Sequence, residues 1–87
     1  MKRILRIAIV AYDNRKVDTI DWVIYNSDFL SQHSLVCTGT TGTLVKEALA
    51  SEGVYPDMQI MSSGPMGGDA EIAAMVVRKE IDLAVFL

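Results

Sequence analysis

Cysteine and histidine are nearly absent from this chain: each occurs once among the 87 residues, as Cys37 and His33. A single cysteine excludes a disulfide framework and a CxxC metal knuckle. The lone histidine has no Cys or His partner at the spacing that a zinc site needs. Cys37 lies within a predicted strand, where we expect a core side chain rather than a nucleophile. The sequence therefore predicts no metal site, and a reduced, cytoplasmic setting is expected.

Long apolar runs and clusters of basic charge are also missing. No stretch approaches the roughly 20 apolar residues that a membrane span requires, and the apolar run at residues 7–11 is too short for a signal peptide. The eight basic residues are scattered and the net charge is -3, which argues against a nucleic-acid partner. With 51% hydrophobic and 22% charged residues, residues 1–87 have the composition of a single globular domain without a membrane partner.

Short apolar runs alternate with segments of helical periodicity. Strand-like runs lie at residues 6–12, 34–38, 59–63 and 81–87. Helical segments lie at residues 16–32, 43–50 and 69–80. This β-α-β-α-β-α-β order predicts an α/β fold with three layers around a parallel sheet. Because the chain stops on a buried strand with no covering helix after it, we expect the fold to be incomplete.

Polar, glycine-bearing segments follow the first three predicted strands, and parallel strands would bring these segments to one edge of the sheet. The second segment is Thr38-Gly39-Thr40-Thr41-Gly42, here called the TGTTG segment. Its glycines permit close approach of a ligand, and the helix that follows supplies free N–H groups, so it suits a phosphate. An ordinary strand-to-helix turn with a threonine N-cap explains the same residues. The local sequence leaves both interpretations open.

Three charged residues in the other two segments are candidates for chemistry. Asp69 ends Ser63-Gly64-Pro65-Met66-Gly67-Gly68-Asp69, and it is either a first-turn acid of a helix or a general base beside a substrate carbon. Lys16 opens a helix, where the dipole disfavours a cation that has no anionic partner. A phosphate would be such a partner. Asp13 is either a second catalytic carboxylate or a turn residue.

Taken together, these segments resemble the methylglyoxal synthase family. The resemblance rests on VAYDNRK at residues 10–16, TGTTG at residues 38–42 and SGPMGGD at residues 63–69. It extends over residues 7–87, which would correspond to the amino-terminal two-thirds of such an enzyme. It implies a methylglyoxal synthase-like, Rossmann-like α/β fold with four of five strands present, the fifth strand and last helices being absent. It also implies assembly as a homo-oligomer, usually a hexamer.

The resemblance further implies a reaction and a set of site residues. Family members convert dihydroxyacetone phosphate to methylglyoxal and inorganic phosphate, a bypass of glycolysis, without a metal or organic cofactor. By the resemblance, Asp69 is the base that removes a carbon-bound proton, and Asp13 is a second acidic group beside the substrate. The residues implied to hold the substrate, chiefly its phosphate, are Tyr12, Lys16, Thr38, Gly39, Thr40, Thr41, Ser63 and Gly64.

Two departures from the family pattern affect these expectations. Tyr12 stands where the family usually has histidine, and a tyrosine is larger and does not ionise near neutral pH. The family also continues beyond the fourth strand into an Asp-Pro segment and a Pro-His loop that brings a histidine to the active site. Without that loop, we expect this chain alone to be weakly active or inactive.

Two alternatives remain from the sequence. The first is a regulatory domain of the same fold that binds phosphate or another effector without catalysis, as in carbamoyl phosphate synthetase. The second is a non-catalytic fragment that serves only assembly or folding. The intact GGD with Asp69 favours the enzyme, because a binding domain needs no base at that position.

Overall fold

The structure, a computed structural model, describes residues 3–61 and 68–87, with the backbone alone described at residues 13, 68 and 69. The strands are β1 (Arg6–Val10), β2 (Ser34–Thr38), β3 (Met58–Met61) and β4 (Leu83–Phe86). The helices are α1 (Lys16–Tyr25), the one-turn α2 (Ser27–Leu30), α3 (Gly39–Ser51) and α4 (Gly68–Val77). A 3-10 turn at Asp13–Arg15 leads into α1. The predicted order of strands and helices is confirmed.

All four strands are parallel, in the spatial order β3-β2-β1-β4. In the register, Ile7 of β1 lies opposite Leu35 of β2 and Leu83 of β4. Parallel neighbours cannot be joined by a hairpin, so a helical crossover links each consecutive pair. The predicted parallel sheet is confirmed, and β1 occupies an interior position, as its continuous apolar run indicates.

Helices α1, α2 and α3 cover one face of the sheet. Ile7 and Ile9 of β1 pack there with Val23 of α1 and with Val45 and Leu49 of α3. All five side chains are fully buried. Burial of each such side chain contributes about 1.5–3 kcal/mol, so this face holds the larger part of the core and fixes α1 and α3 against the sheet.

Helix α4 covers the opposite face. Ala8 and Val10, which alternate with the two isoleucines of β1, pack there with Val36, Ile72 and Met75. The three-layer arrangement predicted from the sequence is therefore confirmed. Among the described residues, no helix has the length and apolar character needed to cross a membrane.

Helix α3 begins four residues earlier than the sequence pattern predicted. The predicted start was Thr43, after the TGTTG segment, whose glycines are weak helix formers. In the structure the helix begins at Gly39, after an extended Thr38 with φ -75° and ψ 159°. A Cβ at Gly42 would lie 2.8 Å from Cγ1 of Ile60 in β3. The glycine therefore allows close approach of α3 and β3, and tertiary packing outweighs the helix propensity.

The helix predicted over residues 16–32 is interrupted at Asn26. The side-chain amide of Asn26 donates a hydrogen bond to the carbonyl of Trp22 at 2.8 Å. The backbone at Asn26 has φ -103° and ψ 16°, which ends α1 and leaves α2 as a single turn. Asparagine competes with helical hydrogen bonding through this kind of local side-chain contact.

Candidate functional site

The carboxyl ends of β1 and β2 lie side by side and lead into α1 and α3. Ile9 lies opposite Cys37 in the register, one residue before the last residue of each strand. Both helices leave towards the same face, whereas α4, which follows β3, covers the other face. The helices that follow the neighbouring strands β2 and β3 therefore lie on opposite faces, and α/β proteins bind ligands beyond the carboxyl ends of the strands at such a point.

Lys16 and the start of α3 line a common open pocket at this edge. The pocket has a volume of about 420 Å³ and is lined by Lys16, Gly39, Thr40, Thr43, Leu44 and Glu47. Its volume is in the range of small-molecule sites. The structure thus brings together three of the predicted phosphate-binding residues, Lys16, Gly39 and Thr40. Lys16 and Thr40 are both exposed, so their side chains are accessible to a ligand.

The first turn of α3 has backbone donors available to an anion. The first N–H groups of any helix lack an intrahelical partner, and an N-cap side chain usually accepts one of them. Within the described residues, the N-cap Thr38 makes no such side-chain hydrogen bond. Its hydroxyl instead donates to Oγ1 of Thr41 at 3.3 Å. The N–H groups at Gly39 and Thr40 and the positive end of the helix dipole therefore favour a negatively charged ligand.

Two of the predicted phosphate ligands, Thr38 and Thr41, are buried, with 5% and 4% of their surface exposed. Oγ1 of Thr41 accepts a hydrogen bond from the Ala11 N–H at 3.2 Å and donates to the Ala11 carbonyl at 3.4 Å. These bonds join the first turn of α3 to the residue that follows β1. The sequence analysis missed this contact because nothing in the side chain of Ala11 signals it.

Tyr12 and Asp13 lie in the segment between β1 and α1. Tyr12 is 69% exposed, and its N–H donates to the carbonyl of Leu87 at 3.0 Å, directly after β4. The backbone of Asp13 is the first residue of the 3-10 turn, while its side chain lies outside the described part of the structure. Both residues therefore follow β1 at the same edge of the sheet as the pocket.

The predicted base and its neighbouring loop are not described in full. Ser63 and Gly64 lie outside the described residues. The backbone of Asp69 is the second residue of α4, and its side chain is not described. The roles of Ser63, Gly64 and Asp69 remain predictions.

Three pocket residues were not found by the sequence analysis: Thr43, Leu44 and Glu47. They follow Thr40 at three, four and seven residues along α3, the spacing that places side chains on one face of a helix. The signal is present in the sequence, but it appears only when the helix is begun at Gly39 instead of Thr43. Among the described residues, no group of three or more His, Cys, Asp or Glu side chains is arranged to hold a metal ion.

Cys37 is a core residue, as the sequence predicted. Its side chain is fully buried. Burial raises the pKa of the Cys37 thiol to about 12, and a backbone hydrogen bond with Ile9 lowers it by a smaller amount. The thiol is therefore protonated near neutral pH and does not serve as a nucleophile.

The chain is similar in sequence to known proteins. No protein-family model matches the chain. The chain is 64% identical over 86 residues to a methylglyoxal synthase of Treponema socranskii and 51% identical over 81 residues to one of Clostridium acetobutylicum. These alignments cover 99% and 93% of this chain, but 54% and 52% of the two relatives.

A solved structure gives the same result for the fold. The crystal structure of methylglyoxal synthase from Elizabethkingia anophelis matches with a TM-score of 0.83 and 37% identity, over 97% of this chain and 52% of that one. The resemblance predicted from the three motifs is therefore confirmed in sequence and in fold. The chain spans about half the length of the curated relatives it matches, less than the two-thirds that the motifs led us to expect.

Proposed function

We propose that this chain provides the phosphate-binding part of a methylglyoxal synthase, a carbon–oxygen lyase that converts dihydroxyacetone phosphate to methylglyoxal and inorganic phosphate. The central observation is the pocket in which Lys16 lies beside the start of α3. The relatives named methylglyoxal synthase, which align with nearly the whole chain, support this reaction. The proposal includes a cytoplasmic setting, no cofactor, and a homo-oligomeric assembly, a hexamer by the resemblance.

Phosphate binding is the first step of the proposed reaction. The phosphate dianion would accept hydrogen bonds from the N–H groups of Gly39 and Thr40, where the dipole of α3 favours negative charge. The ammonium group of Lys16 would add a charge-assisted hydrogen bond. The hydroxyl of Thr40, which is exposed and lines the pocket, supplies a further donor. Ser63 and Gly64 would complete this set from the neighbouring loop.

Proton transfer and elimination complete the reaction. Asp69, as general base, would remove a proton from the carbon that bears the free hydroxyl, and the electron pair of that C–H bond forms an enediolate. The enediolate then expels phosphate as the C–O bond breaks, and the enol that remains tautomerises to methylglyoxal. Donors aimed at the enediolate oxygens lower the barrier. Asp13, as a second acidic group, and Tyr12, as a substrate-binding residue, are proposed to lie beside the substrate at the same edge of the sheet.

Phosphate titration of the ¹⁵N-labelled chain, followed by NMR, tests the binding site. We expect inorganic phosphate to shift the amide resonances of Gly39 and Thr40. Because a hydrogen bond to a charged group contributes about 1.5–3 kcal/mol, Lys16→Gln should raise the phosphate Kd about tenfold.

Lys46→Gln is the matched control for this titration. It removes the same charge from an exposed lysine that lines a separate groove beside β3, so the phosphate Kd should change less than about twofold. Equal weakening by both substitutions would show general charge attraction and would contradict the proposed site. Absence of any shift at Gly39 and Thr40 would also overturn it.

A further inference from the structure

We infer that Thr41 is a positioning residue, which holds the segment that carries Lys16 against the phosphate-binding turn of α3. The inference rests on the proposed function. In this role the Thr41 hydroxyl does not contact the phosphate. The Thr41 backbone N–H, in the first turn of α3, remains a hydrogen-bond donor available to the phosphate.

The Thr41 hydroxyl is buried and makes its hydrogen bonds within the protein. A hydroxyl has one hydrogen to donate and two lone pairs to accept with. Oγ1 accepts from the Ala11 N–H at 3.2 Å and from the Thr38 hydroxyl at 3.3 Å, and it donates to the Ala11 carbonyl at 3.4 Å. All three positions are used, and Thr41 is 4% exposed.

The contact joins the two sides of the pocket by a short path. Ala11 directly precedes Tyr12, whose N–H is bonded to the carbonyl of Leu87. The carbonyl of Tyr12 in turn accepts a hydrogen bond from the Arg15 N–H at 2.9 Å, in the turn that ends at Lys16. The segment before Lys16 is thus fixed to α3 through Ala11 and to the end of β4 through Tyr12. Removal of the Thr41 hydroxyl would release the first of these two attachments.

Thr40 differs from Thr41 in each of these respects. It is exposed and lines the pocket, so its hydroxyl is free to contact a ligand directly. Substitution of the two neighbouring threonines should therefore separate direct binding from positioning. Thr40→Val is expected to weaken phosphate binding without changing the Ala11 contact, whereas Thr41→Val should change both.

Thr41→Val tests the inference because valine keeps the shape of threonine and lacks the hydroxyl. The readouts are amide hydrogen exchange at Ala11, the phosphate Kd from the NMR titration, and the melting temperature. Since a lost hydrogen bond is worth about 1 kcal/mol, we expect the phosphate Kd to rise about fivefold and exchange at Ala11 to accelerate by a similar factor. Thr41→Ser restores the hydroxyl and should return both values to within about twofold of the unchanged chain.

Leu35→Val is the control for a general loss of stability. Leu35 is buried near the start of β2, at the end of the strands opposite to the pocket. Its truncation to valine should lower the melting temperature and leave the phosphate Kd and the Ala11 contact unchanged. If Thr41→Val lowers the melting temperature but leaves phosphate affinity unchanged, the positioning role is wrong. If Thr41→Ser binds phosphate as weakly as Thr41→Val, the hydroxyl is not responsible and the inference also fails.

Two further outcomes keep the inference separate from the proposed function. If Thr41→Val does not fold, Thr41→Cys replaces it, because a thiol is a weak donor and acceptor that should likewise lose phosphate affinity and Ala11 protection. If the unchanged chain binds no phosphate, the proposed function fails, and exchange at Ala11 then decides the contact alone. Faster exchange in the variant supports the contact, and unchanged exchange overturns it.

Discussion

Single residues within the TGTTG segment have different environments despite similar side chains. Thr40 is exposed and lines the pocket, whereas Thr38 and Thr41 are buried and hydrogen-bonded within the protein. The family resemblance implied all three as phosphate ligands, and the motif gives no ground for distinguishing their hydroxyl groups. Their environments depend on where α3 begins and on the backbone of Ala11, and neither can be read from the motif itself.

Convergence of the charged and glycine residues, in contrast, could be predicted. Lys16 follows β1 and Gly39 follows β2, and neighbouring parallel strands place their carboxyl ends at one edge of a sheet. The pocket that these two residues share follows from that rule. The spacing along α3 places Glu47 on the same face as Thr40, but the contact of this face with the pocket depends on packing between α1 and α3, which the local sequence does not determine.

Asp69 is the residue on which the proposed chemistry depends. Asp69→Asn is expected to reduce methylglyoxal formation from dihydroxyacetone phosphate at least about a hundredfold, because an amide cannot act as a general base. The measurement is the rate of methylglyoxal release, compared between the variant and the unchanged chain under the same conditions. Phosphate-induced shifts at Gly39 and Thr40 serve as the folding control and should persist. Turnover equal to that of the unchanged chain would remove Asp69 from the mechanism.

At the scale of elements, the position of α3 depends on the absence of a side chain at residue 42. Gly42→Ala adds a methyl group 2.8 Å from Cγ1 and 3.0 Å from Cγ2 of Ile60, and a β-branched side chain has little freedom to turn away. Overpacking costs about 1–3 kcal/mol, more than the gain of at most about 1 kcal/mol in helix propensity. We expect a net loss of unfolding free energy, measured by urea denaturation.

Ile60→Ala provides the partner for a double-mutant cycle. It removes the atoms that the new methyl group would meet, so Gly42→Ala should cost less in its presence than alone. Strictly additive effects would show that the contact between α3 and β3 does not limit residue 42.

The order of elements was predictable because each strand is a short apolar run and each crossover has helical periodicity. The boundaries of the helices were less predictable. The hydrogen bond from Asn26 to the Trp22 carbonyl divides one predicted helix into two, and the contact between Gly42 and Ile60 accommodates an earlier start of α3. Both depend on contacts that a periodic pattern does not contain.

At the scale of the whole molecule, the two faces of the sheet are covered unequally. Three helices pack on one face and α4 on the other. Strand β4 lies at an edge, and its Leu83 and Phe86 are 41% and 65% exposed. A parallel sheet could be predicted from the crossovers, but the spatial order β3-β2-β1-β4 could not, because it depends on tertiary contacts that a local pattern does not contain.

The exposed apolar residues of β4 predict self-association of the chain. Apolar edge strands pair readily with other chains, and a lysine on such a strand opposes pairing. Phe86→Lys should therefore weaken association at least about tenfold, measured by sedimentation velocity over a range of concentrations. Tyr55→Lys is the matched control, because Tyr55 is 78% exposed outside β4. Equal association of the chain and its Phe86→Lys variant would contradict this prediction.

The buried state of Cys37 has a consequence for a protein that would release an electrophilic dicarbonyl. A thiolate is a strong nucleophile that adds to such carbonyl groups, and the sulfur of Cys37 is both shielded from solvent and protonated. The one sulfhydryl of the sequence would thereby be kept from the aldehyde that the proposed reaction forms. Self-inactivation by the product would then have to proceed through other nucleophiles, such as the amine of Lys16.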